Sequence, residues 1–255
     1  CAVLARCFSH RPQQRLLAIK TNHQTTNHTQ HPLPPKTTIQ GYLAPAMVNF
    51  LALLGWNDGT EQEVFTAQEL IEKFSLDRVG RSGAHFDERR LLWTNGHFIR
   101  AMKLDGLYEK VADYWGPEAK DADEEYKKKV LGLVQERLKY FAELPELTKF
   151  FFVDLPVDPK LISEHKQLKK LSKDELRDLL QKSRDSLAES DFTLDDLTER
   201  LNKLLEETGQ KPAVLFSLIR IAITQAPSSP GLADTLAVLG KEKSQFRIST
   251  QLAAL

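Results

Sequence analysis

Arg220 is the side chain whose surroundings in the sequence most favour a chemical role. It carries the one charge in the stretch from Pro212 to Thr224, where apolar residues run nearly all around a helix and predict burial inside a bundle. Ser229 and Pro230 lie in the loop that follows. A guanidinium in this position can pair with an acid inside the bundle, or it can direct its planar set of donors at a ligand beside the loop. The residues alone leave both interpretations open.

Residue combinations that support catalysis are scarce. The sequence has no glycine-rich phosphate loop and no cysteine and histidine arranged as a nucleophile and its base. His23, His28 and His31 follow Cys1 and Cys7, but their spacings match no zinc pattern. We therefore predict no catalytic residue and no metal site in this chain.

The overall composition restricts the classes of protein that fit. The chain has 255 residues, 41% of them hydrophobic, which suffices for one large domain or two modest ones. Its 35 basic and 35 acidic residues cancel, so attraction to a polyanion would have to come from a local basic face. Two cysteines support no disulfide framework, and no apolar run approaches the roughly 18 residues that span a bilayer. We expect a monomer with no membrane partner and no DNA partner.

Residues 1–40 differ in composition from the rest of the chain. They hold five basic residues and no acidic one, and residues 21–38 are mostly Thr, Asn, Gln, His and Pro. Such a segment buries too little apolar surface to offset the entropy of ordering it, so we predict disorder. Two interpretations stay open: an organellar transit segment, which would place the protein in a plastid or mitochondrion rather than the cytoplasm, or an artefact of a truncated or mis-spliced gene model.

The segment from Gly41 to Trp56 predicts the first helix. Its apolar residues recur at spacings of three and four, as on one face of a helix. These residues are Leu43, Met47, Phe50, Leu51 and Leu54. Trp56, at the end of this segment, and Trp93 further along are expected to lie in the core.

Polar residues predict where the next helices begin and where the chain turns. Thr66 and Glu69 have the spacing of a capping box, and Asp87 suits the N-cap of another helix. The pair Asn95 and Gly96 is a turn signal. Together these signals predict three short helical segments between residues 41 and 100.

Helical patterns continue to the end of the chain. The segment 121–144 predicts the longest helix, and capping signals at 172–175 and 193–196 precede two leucine-rich helices. Gly209 suits the end of the second of these. No alternation typical of a strand is sustained, so the predicted fold class is all-α.

Four motifs, in order and spacing, resemble the bacterial-type glutamyl-tRNA synthetases, which include organellar members. The motifs are Gly41-Tyr42-Leu43, Leu51-Ala52-Leu53-Leu54-Gly55-Trp56, Phe86-Asp87 and Trp93-Thr94-Asn95-Gly96-His97-Phe98-Ile99-Arg100. In that family the stretch follows the catalytic domain, contacts the tRNA stem and leads into a helical anticodon-binding part. The resemblance implies a tail at 1–40, a stem-contact domain at 41–118 and an anticodon-binding domain at 119–255.

The same resemblance implies which residues contact tRNA(Glu), the glutamate tRNA. The anticodon-binding positions are Arg220, Ser229, Pro230, Leu232 and Arg137. The candidates for phosphate contacts along the stem are Arg78, Arg81, Arg89, Arg90 and Arg100. An arginine on a helix is also typical of a solvated face, and for Arg137 that alternative stays open. Gln225 stands where the family usually has glycine, which predicts a different backbone path for the loop.

The resemblance does not extend to the part of the family that binds ATP and glutamate. The His-x-Gly-His motif is absent, and Lys170-Leu171-Ser172-Lys173 lies too far along the chain to be the family's lysine-serine loop. ATP and Mg²⁺ would therefore act only in a full-length ligase, and none is expected to bind this chain. The alternative is a helical interaction or scaffold module, derived from a synthetase, that no longer binds tRNA.

Overall fold

Helices dominate the computed structural model, which describes residues 41–80 and 85–255. Within these ranges no strand forms, and one isolated antiparallel bridge joins Trp56 to Val79. The prediction of an all-α fold is confirmed. The predictions of disorder for residues 1–40 and of a stem contact for Arg81 lie outside the described residues.

The described residues fall into two compact units. The first contains residues 44–94, and the second contains residues 41–43 and 95–255. The functional boundary between 118 and 119 stays a prediction. In chain order the helices are α1 Ala44–Leu53, α2 Ala67–Lys73, α3 Glu88–Arg100, α4 Leu104–Lys110, α5 Glu124–Val134, α6 Leu144–Phe152, α7 Lys160–Ser163, α8 Lys173–Ala188, α9 Leu194–Thr208, α10 Pro212–Thr224, α11 Leu232–Leu239 and α12 Lys241–Ala254.

An aromatic cluster forms the core of the first unit. Trp56 and Phe65 are buried, their rings meet edge to face at 5.7 Å, and Leu70 of α2 packs against them. The predicted capping box starts α2: the Thr66 backbone N–H donates to Glu69 Oε2 at 2.7 Å, and the Glu69 N–H donates back to Thr66 Oγ1 at 3.2 Å. The placement of Trp56 in the core is confirmed.

The buried faces of the first two long helices agree only in part with the prediction. Leu43 and Phe50 are buried as predicted, while Met47, Leu51 and Leu54 are only half-buried. The other buried residues of α1 are Ala46, Asn49 and Ala52. Trp93 is 45% exposed, and its placement in the core was wrong. The buried positions of α3 include Leu91 and Asn95, four residues apart on one face, and Trp93 lies between them on the opposite side.

The turn predicted at Asn95 and Gly96 was also wrong, because α3 continues through both residues. Asn95 is buried and accepts a hydrogen bond from the Leu43 N–H at 2.8 Å while donating to the Lys139 carbonyl at 2.5 Å. A Cβ added at Gly96 would lie 3.1 Å from Arg100 Nη1 and 3.5 Å from the Leu138 carbonyl oxygen, the second of which is an ordinary van der Waals distance. Asn95 therefore serves packing inside a helix and does not form a turn.

The helix predicted at 121–144 ends early. α5 stops at Val134, a 3₁₀ turn covers Gln135–Arg137, and Leu138 is extended and fully buried. Gln135 holds this exit, because its Nε2 donates to the carbonyls of Ile99 at 3.0 Å and Met102 at 2.9 Å. Among the helices that the structure describes, the 16-residue α8 is the longest.

The C-terminal helices build the core of the second unit. α8 packs against α9 and α12, α10 packs against α8 and α12, and α11 packs against α9 and α5. The predicted capping box at Ser172 and Glu175 begins α8, and Gly209 ends α9 in the left-handed conformation, at φ 62°. Most of α10 is buried, as its apolar sequence predicted. None of the helices in the described ranges is long and apolar enough to cross a membrane.

Candidate nucleic-acid interface

Two arginines converge on the loop between α10 and α11. Arg220 donates from Nε to Ser229 Oγ at 2.9 Å, and Arg137 donates from Nη1 to the Ser229 carbonyl oxygen. Ser229 itself is only 7% exposed. The fold thus brings Arg137 against a residue 92 positions away in sequence. We call Arg137, Arg220 and Ser229 the arginine–serine cluster.

The environment of Arg220 is positive and partly dehydrated. Burial lowers the pKa of its guanidinium, and the charge of Arg137 lowers it further. No carboxylate of the described residues forms an ion pair with either arginine. Among these residues, Arg220 therefore does not neutralise a buried acid. Two unneutralised guanidiniums side by side create a local potential that attracts acceptor atoms and anions.

Arg137 occupies the 3₁₀ turn after α5 and is half-buried, not spread over a solvated helix face. The early end of α5 is what directs it at the loop. Its contact uses one N–H of a side chain that has five. Further donors of both arginines therefore have no hydrogen-bond partner among the residues at 41–80 and 85–255.

Pro230 and Leu232 flank the cluster on its C-terminal side. Pro230 is half-buried, and its carbonyl accepts a hydrogen bond from Ser229 Oγ at 3.2 Å. Leu232 is the first residue of α11 and is 6% exposed. In this structure Leu232 supports the start of α11, and Pro230 is the more accessible of the two.

Gln225 was predicted to alter the backbone path of the loop, but the contacts of its side chain were not predicted. It ends α10 with φ 47° and ψ 38°, the left-handed conformation that glycine adopts most readily. The glutamine therefore does not by itself force a different backbone path. A non-glycine residue in this conformation signals that its surroundings hold it there, but no sequence pattern identifies those contacts.

Arg247 is a residue that the sequence analysis missed. It is 7% exposed and donates to Asp154 Oδ1 at 2.8 Å, to the Ile223 carbonyl at 2.6 Å and to the Val153 carbonyl at 2.9 Å. A signal did exist: Arg247 shares its helix face with Ser244, Ile248 and Gln251, all buried, at spacings of three and four.

The predicted stem-contact arginines lie in different environments. In the first unit Arg78 and Arg89 are exposed, and Arg90 pairs with Glu63 at 3.2 Å. Arg78 donates from Nη1 to the Asp58 carbonyl. In the second unit Arg100 is half-buried at the end of α3. These arginines remain predicted phosphate contacts.

No group of carboxylates, histidines or cysteines that could hold a metal ion occurs within the described ranges. The chemistry available at the cluster is the donation of hydrogen bonds and positive charge.

Comparison with known protein families identifies the class to which this chain belongs. Residues 106–252 match the family described as "Anticodon binding domain". Residues 35–93 match the family described as "tRNA synthetases class I (E and Q), catalytic domain". Residues 106–252, which include the arginine–serine cluster, thus belong to the anticodon-binding domain family.

Individual relatives narrow the class. The chain is 37% identical over 220 residues to a glutamate–tRNA ligase of Clostridium novyi, covering 85% of this chain and 45% of that protein. It is 38% identical over 223 residues to one of Herpetosiphon aurantiacus, covering 84% and 44%. The chain belongs to the bacterial-type glutamate–tRNA ligase family, of which it contains the C-terminal part. It spans less than half the length of these relatives.

Solved structures agree on the fold. A glutamate–tRNA ligase of Elizabethkingia meningosepticum, solved with its amino acid, superposes with a TM-score of 0.70 at 23% identity, covering 85% of this chain and 42% of that one. A glutamate–tRNA synthetase of Elizabethkingia anophelis gives 0.69 at 24% identity, covering 84% and 41%.

Proposed function

We propose that this chain binds tRNA(Glu) and recognises its anticodon loop through the arginine–serine cluster. The observation that carries the proposal is the convergence of Arg137 and Arg220 on Ser229 without a neutralising carboxylate among the described residues. RNA is recognised in sequence mainly where its bases are unstacked, by planar guanidinium groups and backbone groups that contact base edges and faces. An anticodon loop offers such bases.

The remaining predicted residues would divide the work of binding. Pro230 and Leu232 would provide the apolar side of the site. The stem-contact arginines would contact phosphates, which fixes the register of the tRNA without specifying sequence. Arg78 and Arg89 are exposed and suited to that role.

In a full-length ligase the reaction would be the ATP-dependent attachment of glutamate to the 3′ end of the tRNA, with Mg²⁺ assisting the nucleotide chemistry. This chain would contribute recognition of the tRNA. We expect the purified 255-residue chain not to aminoacylate tRNA, and charging by that protein would contradict this expectation.

Filter binding at a stated salt concentration tests the proposal. The chain should bind glutamate tRNA more tightly than a mismatched tRNA, and Arg220→Ala should weaken the cognate complex by about 1–3 kcal/mol. Arg177→Ala is the matched control, since Arg177 is an arginine of α8 that is 51% exposed and 3.8 Å from Asp174. Unchanged affinity in Arg220→Ala would remove Arg220 from the site.

The same measurement addresses the scaffold alternative, which the comparisons do not support. Weak and equal binding to both tRNAs by the unmodified chain would favour a scaffold. A clear preference for glutamate tRNA would exclude it.

A further inference from the structure

We propose that Gln225 is a positioning residue for the arginine–serine cluster, an inference that rests on the proposed function. Gln225 begins the loop 225–230, which we call the recognition loop, and Ser229 lies near its other end. Gln225 does not contact the arginines through any hydrogen bond in the described structure. It acts by fixing where the loop leaves α10.

The Gln225 side chain is tied on two sides. Its Nε2 donates to Gln251 Oε1 in α12 at 2.8 Å. Its Oε1 accepts a hydrogen bond from the Asp158 backbone N–H at 3.1 Å, in the connection between α6 and α7. The single amide therefore uses its donor and its acceptor to hold the start of the recognition loop against two other segments.

Arg247 anchors the turn just before Gln225 to the same surroundings. Arg247 belongs to α12, as Gln251 does, and it joins the Ile223 carbonyl to Val153 and Asp154. The C-terminal end of α10 is thus fixed by α12 and by the connection after α6. Gln225 extends this attachment by two residues, into the loop itself.

The fixed loop start is coupled to Arg220 through Thr224. Thr224 Oγ1 donates to the Arg220 carbonyl at 2.8 Å and accepts a hydrogen bond from the Ala226 N–H at 3.2 Å. At the far end of the loop Arg220 and Arg137 hold Ser229. The recognition loop is therefore held at Gln225 and at Ser229. Loss of the Gln225 side-chain hydrogen bonds would let Ser229 shift between the two guanidiniums.

The backbone conformation of Gln225 supports a role for its side chain. Residues other than glycine rarely adopt a left-handed conformation, and they keep it where surrounding contacts enforce it. Glycine would take the same φ of 47° without strain and without any side-chain contact. Glutamine is strained in this conformation, where glycine would not be. Its side-chain hydrogen bonds hold the loop in place.

The test measures anticodon discrimination, defined as the ratio of Kd for glutamate tRNA carrying a substituted anticodon to Kd for the native tRNA. The full chain is compared with Gln225→Gly, which keeps the left-handed turn but loses both side-chain bonds, and with Gln251→Ala, which removes one partner. Gln251→Ala should lower the ratio about fivefold, the effect of losing one hydrogen bond, and Gln225→Gly, which loses two, should lower it at least as much. The double variant should lower it no further than Gln225→Gly alone.

A thermal unfolding midpoint, measured for each variant, separates positioning from folding. Gln181→Ala is the matched control, because Gln181 of α8 also donates to a side chain, that of Asp185 at 2.8 Å, and has no hydrogen bond to residues 225–230. It should leave the ratio unchanged. A ratio that stays at the unmodified value in Gln225→Gly and Gln251→Ala overturns the inference, whatever happens to the unfolding midpoint.

Failure of the inference is distinct from failure of the proposed function. If the unmodified chain shows no discrimination between the two tRNAs, the proposed function itself is wrong. If it discriminates and the Gln225 and Gln251 variants discriminate equally well, only the positioning role is wrong.

Discussion

At the scale of single residues, the arrangement of Arg137 and Arg220 is costly for folding alone. Two guanidiniums lie near one serine, and both burial and mutual repulsion lower the pKa of Arg220. Removing a charge from water without a compensating acid is unfavourable. Such an arrangement is expected where a binding partner, and not the fold, supplies the compensating acceptors.

Replacement of Arg220 by leucine should therefore separate binding from stability. Arg220→Leu should change the free energy of unfolding by less than about 1 kcal/mol, because it removes a partly buried charge. The same variant should weaken binding of glutamate tRNA by about 1–3 kcal/mol. Urea denaturation and filter binding measure the two effects, and a large loss of stability with intact binding would assign Arg220 to the fold.

Tyr126 predicts an alkaline dependence of stability. Burial raises the pKa of Tyr126 from 10.0 to about 12, and its hydroxyl donates to the Phe151 carbonyl at 3.0 Å. Since the fold favours the protonated phenol, the stabilisation is complete below the unfolded pKa of 10.0 and is lost as pH rises from there to about 12.

Urea denaturation at about pH 9 and about pH 11 checks this dependence on either side of the ordinary tyrosine pKa. The unmodified chain should lose more stability between the two conditions than Tyr126→Phe, which keeps the ring but cannot ionise. The comparison cancels the contributions of Tyr108 and Tyr114, whose pKa values burial also raises. Equal losses in both proteins would show that Tyr126 ionises as freely in the folded state as in the unfolded one.

At the scale of helices, local signals located starts and stops better than they located packing. The capping boxes at Thr66 and Ser172 and the terminal Gly209 were predictable, because each depends on residues within one turn of one another. The continuation of α3 through Asn95 and Gly96 was not. It depends on Leu43 and Lys139, which are distant in sequence.

The candidate site also combines residues that local sequence predicts with residues that depend on distant contacts. The apolar sequence of α10 made Arg220 conspicuous, and the resemblance named Ser229 as another anticodon-binding position. The contact of Arg137 with Ser229 required α5 to end at Val134, where the periodicity of residues 121–144 predicted one continuous helix. Gln225 and Arg247 act through long-range bonds that a local pattern cannot specify.

Two glycines provide a paired test of helix-end geometry. Gly209 has φ +62° and Gly106 lies within α4, and neither would bring an added Cβ within 4 Å of another heavy atom outside its own immediate surroundings. Gly209→Ala should lower the free energy of unfolding by about 1 kcal/mol, because alanine is strained in the left-handed region. Gly106→Ala should raise it by about 0.5–1 kcal/mol.

Urea denaturation of both variants distinguishes backbone strain at a positive φ from steric clash of the added Cβ with neighbouring atoms. Because neither site is crowded, opposite signs are expected. A Gly209→Ala variant as stable as the unmodified chain would contradict the assignment of left-handed geometry at Gly209.

At the scale of the whole molecule, a zero net charge requires that affinity for RNA come from local groups of basic residues. The predicted stem contacts would belong to these groups and would act on phosphates. Their contribution should be independent of anticodon sequence and should weaken with salt.

Arg89→Ala tests whether a predicted stem-contact arginine contributes affinity without contributing anticodon specificity. Arg89 is exposed near the start of α3, and its own N–H is bonded to Asp87 Oδ1 at 2.9 Å, which the substitution leaves intact. The variant should weaken binding of native and anticodon-substituted tRNA equally and reduce the salt slope by about 1. A change in the ratio of the two affinities would mean that Arg89 contributes to specificity.

The most direct test of the proposed function is the anticodon discrimination of the unmodified chain beside that of Arg220→Ala. We predict that the unmodified chain prefers native glutamate tRNA over the anticodon-substituted form by about 1–3 kcal/mol, and that Arg220→Ala brings the two affinities close to equality. Equal affinity of the unmodified chain for both tRNAs would contradict recognition of the anticodon by the arginine–serine cluster.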